Sequence, residues 1–432
     1  MTINFAYDEE FESNYFNVTG DDIDLGFTSC SLHYWFEKNG INVNLMTLDE
    51  AIDSGENFVY WIYLNPPWDI SRHIESLSDD LIGCINSGIC NFVINDAIEG
   101  RDWPIEETKI FVKSLQDAYI DMSKVIVLTQ SWSYLYNDMP FRMVYWSWHE
   151  SNVSAEAERG EIAASIHPQD LHFPENDRHD SAKKFLCLNR YNKQDRFYFL
   201  YQMYKHNLLH EFNCSHSKVT GPDDFDVWNL RNDPGLGPIQ LASWPWTDDM
   251  TEFAKTTPYT YDEVTEDFEL ILVEPRHRQE NYIFIVTESI FNDNRPDRPF
   301  DGMTRDVSEK TWKPIALRMP FIVIHQPFAL KRLRDVGYKT FHTIWDESYD
   351  DITDPEERMA AIIDLVVSLS KRKDFIDMVN SCDRIVEHNF AMLRLRSPEQ
   401  DMIREVSNFN FQSQYNNLAN RKHPFFAKRR FA

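Results

Sequence analysis

The chain has 432 residues, of which 42% are hydrophobic and 14% aromatic, and this composition excludes an intrinsically disordered protein. Its length predicts two or three domains rather than a single core. The formal net charge of −27 argues against non-specific nucleic-acid binding, because that binding depends on lysine and arginine neutralising phosphates. A local basic pocket for one diphosphate is still compatible with this charge.

The cysteines are widely spaced, and no pair has the CxxC spacing of a metal or redox site. Several lie inside apolar runs, so we expect reduced, mostly buried thiols in a reducing compartment. The first residues are acidic and lack the features of a secretory leader, and no run approaches the ~18 apolar residues of a membrane span. We therefore expect a cytoplasmic protein without membrane contact, in the host cytoplasm if it is viral. The cysteines are Cys30, Cys84, Cys90, Cys187, Cys214 and Cys382.

Short apolar runs alternate with helical patterns in the first half of the chain. Phe58–Leu64 is a continuous apolar run that ends at two prolines and predicts a buried strand, as do Asn91–Asn95 and Lys124–Thr129. Between them, 78–87 and 106–119 have the apolar spacing of helices. This alternation predicts parallel strands joined by right-handed crossovers.

The apolar pattern fades from about Ser151 to Ala182 into small and polar residues, which indicates a linker. We therefore expect an N-terminal lobe over 1–165 and a linker over 166–182. A C-terminal lobe over 183–395 follows, and then a helix and basic tail over 396–432 that can return to the first lobe.

The second half repeats the alternation of strands and helices. Lys184–Leu188 predicts a strand and Gln194–Leu209 a helix, and a later helix is predicted at Ala329–Val336, with Gly337 just past its end. Further strands are predicted at Glu269–Val273, Tyr282–Val286, Pro320–His325 and Tyr338–Phe341.

A strong helix start follows at Asp354. Asp354 can cap the helix, Pro355 suits its first turn and Glu357 occupies the third helical position. Apolar residues then recur with helical spacing, and the helical pattern continues to about Glu405.

The predicted fold class is α/β, with two Rossmann-like lobes that face a cleft. Open parallel sheets bind ligands beyond the carboxyl ends of their strands, at the switch point of the strand order. The loops after Leu188 and Val286, and the segment at Ser308, are therefore the expected ligand loops.

The first two loops carry charged and polar residues. Arg190 and Arg196 lie between the predicted strand and the next helix, where guanidinium groups and a helix N-terminus can bind phosphate. A solvated surface loop is the alternative interpretation. Thr287 and Glu288 follow the next strand and can bind hydroxyls of a ribose or sugar, although a helix cap is equally compatible with them.

The third locus is the segment from Ser308 to Lys313. Ser308 can cap a helix, Glu309 supplies a carboxylate for sugar or ribose hydroxyls, and Lys310 supplies a positive charge for a diphosphate. Lys313 extends the positive side by one turn. Because Pro314 lacks a backbone donor, we expect either a short, bent first turn or a helix that begins at Pro314. A surface capping motif is the alternative.

The segments FLCLNRYNKQDR, IVTES and VSEKTWKPIALRMPFIVIHQPFALKRLRDVGYKTF occur in that order. Together they resemble the donor lobe of GT-B glycosyltransferases of the α1,3-fucosyltransferase type, and more closely the glycosyltransferase-like proteins of phages and large viruses. The resemblance covers about 183–370 and implies a nucleotide-sugar site. It implies that Glu309 and Lys310 contact the sugar or ribose and the diphosphate, and that Arg190 and Arg196 form the basic turn. A glycine of the fucosyltransferase pattern is missing before Pro320, which leaves GDP-fucose specificity open.

Inverting sugar transfer requires a base for the acceptor hydroxyl, and the resemblance implies that the N-terminal lobe supplies it. A retaining mechanism, the alternative, requires no such base. Glu99 is the first candidate and Asp96 the second, because both follow a predicted strand. Other candidates are Asp22, Asp24, His33 and His149.

Two short Asp-x-Asp motifs, Asp22–Asp24 and Asp224–Asp226, have the form that binds a metal–diphosphate in other glycosyltransferases. Chance matches are expected in a chain this rich in aspartate, so we predict no metal and no cofactor besides the nucleotide-sugar co-substrate.

The predicted function is transfer of a sugar from a nucleotide-diphosphate sugar to an acceptor hydroxyl on a glycan, a small molecule or a modified DNA base. One alternative is a phage enzyme that glycosylates hydroxymethylpyrimidines in DNA. The other is a non-catalytic protein that binds a nucleotide or carbohydrate.

Overall fold

The structure is a computed structural model that divides the chain into two compact units. Unit 1 consists of Met1–Trp148 and Ser397–Ala432, and unit 2 of His149–Arg396. The expected linker over 166–182 lies mostly outside the described residues, and the division between the units falls at Trp148 and His149. The described residues are 2–7, 32–63, 70–97, 105–130, 139–159, 178–189, 192–224, 244–261, 275–288, 291 and 307–409.

Unit 1 is built on a six-stranded sheet in which every pairing is parallel. Its strands are β1 (Thr2–Tyr7), β2 (Asn42–Thr47), β3 (Phe58–Tyr63), β4 (Cys90–Asp96), β5 (Val125–Thr129) and β6 (Arg142–Tyr145). They lie in the order β2-β1-β3-β4-β5-β6. The three apolar runs that predicted strands form β3, β4 and β5, whose described side chains are buried on both faces, as expected for a parallel sheet covered by helices.

The described helices that follow these strands agree with the predicted alternation. Ser78 caps one of them through a hydrogen bond from Leu81 N, and Gly88 ends it in the left-handed conformation. The helices are α1 (Leu32–Lys38), α2 (Leu48–Ser54), α3 (Ile70–Glu75), α4 (Asp79–Ser87) and α5 (Ile105–Asp117).

Unit 2 contains a five-stranded sheet with the strands β7 (Lys183–Leu188), β8 (Phe212–His216), β9 (Tyr259–Thr260), β10 (Asn281–Thr287) and β11 (Phe321–Ile324). The order is β11-β10-β7-β8-β9, and only β9 is antiparallel to its neighbour. The chain starts in the middle at β7, adds β8 and β9 on one side, and then adds β10 and β11 on the other. The switch point of this Rossmann-type order therefore lies between β7 and β10.

The described helices of unit 2 are α6 (Trp148–Arg159), α7 (Gln194–Lys205), α8 (Asp248–Ala254), α9 (Pro275–Gln279), α10 (Glu309–Ala316), α11 (Ala329–Asp335), α12 (Pro355–Ser370), α13 (Phe375–Asn380) and α14 (Asp383–Leu395). The last described helix, α15 (Glu399–Val406), belongs to unit 1 again. There Asn91 Nδ2 of β4 donates to Val406 O at 2.6 Å, and Arg142 of β6 pairs with Glu405. Two parallel α/β units therefore confirm the predicted fold class, while the cleft between them stays a prediction.

The predicted strand over Tyr338–Phe341 is wrong, although both of its end residues are buried. This segment bonds to side chains instead of a neighbouring strand. Asn389 of α14 accepts from Lys339 N and donates to Lys339 O, both at 2.8 Å. Phe341 N donates to the Glu347 carboxylate at 2.7 Å. The apolar pattern therefore reports burial here, not strand pairing. The predicted strand at Glu269–Val273 lies outside the described residues.

The start of α12 confirms the predicted cap. Asp354 Oδ1 accepts from Glu356 N and Glu357 N, both at 2.9 Å, and Pro355 occupies the first turn. Replacing Asp354 with alanine is expected to lower the free energy of unfolding by about 1 kcal/mol, because two amides at the helix start lose their acceptor. Urea denaturation measures this change, and the exposed Asp364 in the middle of α12 provides the matched alanine control. Equal losses in the two variants would contradict the assigned cap.

Two further expectations concern thiols and membranes. The five cysteines among the described residues are free and four of them are buried, which confirms for these five the expected free, mostly buried thiols, while Cys30 lies outside the description. The reducing compartment stays a prediction. Within the described helices, none combines the length and the apolar character needed to cross a membrane.

Candidate functional site

The carboxyl ends of β7 and β10 meet at the switch point of the five-stranded sheet of unit 2, and buried polar side chains occupy this point. Thr287 Oγ1, at the end of β10, donates to Asn189 Oδ1, just after β7, at 2.5 Å. Asn189 N also donates to Ser215 O of β8 at 3.0 Å. Asn189 was not among the predicted site residues, and its position directly after a predicted strand is the signal that could have identified it.

Glu288 follows Thr287 and reaches the start of α10. Its carboxylate accepts from Ser308 N at 3.1 Å and from Thr311 Oγ1 at 2.5 Å, and Ser308 Oγ donates to its second oxygen. Glu288 is only 1% exposed. Of the two interpretations drawn from the sequence, this geometry matches a helix cap, because the carboxylate binds the first turn of a helix.

Helix α10 begins one residue after its cap. Ser308 Oγ accepts from Lys310 N, and the helix runs from Glu309 to Ala316 with Pro314 inside it. The expectation that the helix begins at Pro314 is therefore wrong, because the helix starts five residues earlier and continues through this proline. Pro314 removes the one hydrogen bond that its amide would make to Lys310 O, and the helix ends two residues later, so few backbone bonds are affected.

Glu309 and Lys310 form the charged centre of the site. Lys310 Nζ lies 2.6 Å from Glu309 Oε1 and donates to Ser308 Oγ at 3.2 Å. His149 Nδ1 lies 3.6 Å from Glu309 Oε2. Burial raises the pKa of Glu309, but Lys310, His149 and Lys313 outweigh it and hold this pKa well below its usual range. Glu309 is therefore an anion close to the two lysines Lys310 and Lys313.

His149 comes from α6, and this position corrects the expectation that it belongs to the N-terminal lobe. Its neighbour Glu150 is almost fully buried. Arg396 Nη1 donates to Glu150 Oε1 at 3.0 Å and to Oε2 at 2.9 Å, and Tyr338 Oη donates to Oε1 at 2.7 Å. These bonds fix the first turn of α6, so His149 is presented to Glu309 by a well-anchored helix.

Arg196 lies at the same strand ends but is directed at backbone. It is 2% exposed, and its Nη2 donates to Thr287 O and Glu288 O, both at 3.3 Å. Lys313 is half-buried one turn further along α10, and its charge acts on Glu309. Of the residues predicted to bind the donor, the structure brings Arg196, Thr287, Glu288, Ser308, Glu309, Lys310 and Lys313 to the switch point and α10.

The remaining candidates lie elsewhere or outside the description. Arg190 and Glu99 lie outside the described residues. Asp96 is fully buried at the end of β4 in unit 1, in register with Thr129 of β5. Asp224 accepts from Thr220 Oγ1 at 2.7 Å and from Gly221 N at 3.3 Å, so its carboxylate organises its own loop. Within the described part of the chain, no three His, Cys, Asp or Glu side chains are grouped so that they could hold a metal ion.

Comparison with known proteins adds one distant similarity. No family model matches the chain, and no curated protein matches it. Among solved structures, the chain is similar to one described as an alpha1,3-fucosyltransferase, with 10% identity, a TM-score of 0.37, and coverage of 92% of this chain and 90% of that chain. A similarity of this size transfers no residue's role to this chain.

Proposed function

We propose that the chain is a glycosyltransferase whose unit 2 binds the diphosphate of a nucleotide sugar at the start of α10. The single observation that carries this proposal is the position of Lys310. It is a lysine in the first turn of a capped helix, at the switch point of a parallel sheet in Rossmann order. A helix N-terminus and a neighbouring ammonium group are complementary to phosphate oxygens.

The charges around Glu309 support the same proposal. When the bond between sugar and phosphate breaks, negative charge develops on the departing nucleoside diphosphate. Lys310, Lys313 and the helix N-terminus would stabilise this charge without a metal ion. Glu309 stays ionised beside them and can accept hydrogen bonds from hydroxyls of the ribose or the sugar. Arg196 would act indirectly, by holding the end of β10.

The acceptor would be activated by unit 1. The proton of the acceptor hydroxyl would pass to a carboxylate as the oxygen attacks the anomeric carbon, and Glu99 and Asp96 are the candidates for that base. A thermal-stability screen against a panel of nucleotide sugars identifies the sugar and the nucleoside. Transfer assays with candidate acceptors then identify the acceptor class. A ligand that binds only the folded protein raises its apparent thermal stability.

Replacing Lys310 with alanine is expected to weaken binding of the stabilising nucleotide by about 10- to 100-fold. A charge-assisted hydrogen bond contributes about 1.5–3 kcal/mol, and each 1.4 kcal/mol is about a factor of ten. Calorimetric titration measures the change. Lys184 provides a matched control, because it is also a half-buried lysine that pairs with a carboxylate, Glu211 at 3.0 Å, but it lies at the amino end of β7.

The control separates a binding role from a general contribution to folding. Lys184→Ala should leave nucleotide affinity unchanged, whereas Lys310→Ala should lower it, although both variants leave a carboxylate without its lysine and both are expected to lose thermal stability. Equal effects of the two variants on affinity would contradict the proposed site. Binding of a nucleotide sugar without release of nucleoside diphosphate, with or without acceptors, would favour a non-catalytic binding protein.

A further inference from the structure

The Glu288 carboxylate links the end of β10 to the start of α10. Between Glu288 and Val307 the structure describes Phe291, and the carboxylate bonds directly to Ser308 and Thr311 in the first turn of α10. These hydrogen bonds to a buried, charged acceptor hold the start of α10 against the end of β10.

The backbone of Glu288 is fixed to the sheet. Glu288 N donates to Ile324 O of β11 at 3.0 Å, and Glu288 O accepts from Arg196 Nη2 at 3.3 Å. Burial leaves its side chain little freedom to change rotamer. The carboxylate therefore transmits the position of the sheet to the helix start, independently of the connection between them.

Ser308 connects the Glu288 carboxylate to Lys310 through its hydroxyl group. Its hydroxyl donates its only proton to the Glu288 carboxylate, so its lone pairs are the part available to Lys310. Both Lys310 N, at 3.4 Å, and Lys310 Nζ, at 3.2 Å, donate to this oxygen. The orientation of Lys310 thus depends on an acceptor at Glu288.

We infer that Glu288 is a positioning residue for the diphosphate subsite: it holds the start of α10 so that Lys310 meets the second phosphate of the nucleotide. This inference rests on the proposed function and changes the part that Glu288 plays in it. The carboxylate binds the helix that binds the ligand, and sugar hydroxyls are not its partners.

The test compares the dissociation constants of nucleoside monophosphates with those of nucleoside diphosphates. Titrations use uridine and guanosine mono- and diphosphates. In Glu288→Gln, one acceptor oxygen becomes an NH2 donor and the negative charge is lost, so Ser308 and Thr311 cannot both keep their present hydrogen bonds and the start of α10 is held less firmly. The diphosphate is expected to bind about tenfold more weakly while the monophosphate changes little, so the ratio of the two dissociation constants collapses.

A second test changes the donor Thr311 instead of the acceptor Glu288, because Thr311 Oγ1 donates to the Glu288 carboxylate. Thr311→Val removes the hydroxyl without changing the shape of the side chain and should lower the ratio in the same direction, whereas Thr311→Ser should retain it. Thr340→Val is the matched control, because Thr340 is equally buried in unit 2 and its hydroxyl accepts from Arg334 Nη1 at 2.8 Å. This control should lose stability without a change in the ratio.

A measurement without ligand separates this inference from the proposed function. Amide hydrogen exchange in the first turn of α10 should accelerate in Glu288→Gln and Thr311→Val and stay slow in Thr340→Val. If the wild-type protein binds none of the nucleotides, the proposed function fails and exchange alone decides the positioning role. Unchanged exchange, or an unchanged ratio in both variants, overturns the inference.

Discussion

Replacing Arg358 with methionine is expected to lower the free energy of unfolding by about 4 kcal/mol. Arg358 is 1% exposed, and its Cζ lies over the Phe291 ring, 4.5 Å from the ring centroid. Its guanidinium donates to four backbone carbonyls, those of Phe291, His325, Ile352 and Thr353, at 2.7 to 3.1 Å. Each buried carbonyl left without a donor costs roughly 1 kcal/mol or more.

The size of this effect reflects two opposing contributions. Burial lowers the pKa of Arg358 to about 10, which means that the folded protein already bears the cost of desolvating a cation. Methionine removes that cost and fills a similar volume, which limits the loss. Urea denaturation measures the difference, with the exposed Arg394→Met on α14 as the control. A loss below about 1 kcal/mol would mean that water replaces the guanidinium at most of the carbonyls.

Sequence patterns predicted the elements whose burial is continuous. Phe58–Leu64 and Asn91–Asn95 predict central strands because a parallel sheet covered on both faces requires apolar residues on both sides. The cap at Asp354 was equally readable, because its hydrogen bonds are made with the next residues in the chain. Elements of this kind depend on local sequence, so local sequence identifies them.

Elements that depend on distant partners were not predicted. Strand β2 (Asn42–Thr47) lies at the edge of the six-stranded sheet of unit 1 and carries exposed asparagines, so it lacks the apolar pattern of a buried strand. Tyr338–Phe341 has a strand-like pattern, but Asn389, from a helix far along the chain, takes the hydrogen bonds that a neighbouring strand would make. Neither outcome can be read from the segment itself.

The candidate site shows the same limit. The grouping of Ser308, Glu309 and Lys310 was visible in the sequence, because the three residues are adjacent. The partners of Arg196 and Glu288 were not, since both bond to residues about 20 or more positions away. A charged side chain at a strand end can therefore be located from sequence, whereas its choice between ligand and backbone requires the tertiary structure.

The free energy of unfolding is expected to depend on pH through Glu347. This carboxylate is buried and accepts a hydrogen bond from Phe341 N at 2.7 Å. Arg334 pairs with two carboxylates, because its Nη1 lies 3.3 Å from Glu347 Oε2 and its Nη2 lies 3.5 Å from Asp350 Oδ2. Burial raises its pKa to about 7, although Thr340, Phe341 and Arg334 oppose the rise and Asp350 adds to it. The folded protein therefore holds a proton that the unfolded chain releases near pH 4.5.

The sign of the effect follows from this proton. Stability from Glu347 is fully present below the ordinary glutamate pKa and is lost as pH rises to about 7, by up to about 3 kcal/mol. Glu347→Gln keeps the shape and cannot ionise, so the stability of wild type minus variant should fall across this window. Urea denaturation at pH 5, 6, 7 and 8 measures the difference, with the exposed Glu357→Gln as control. If the wild-type and Glu347→Gln curves run parallel, the carboxylate is already ionised at pH 5 and Arg334, rather than burial, sets its charge.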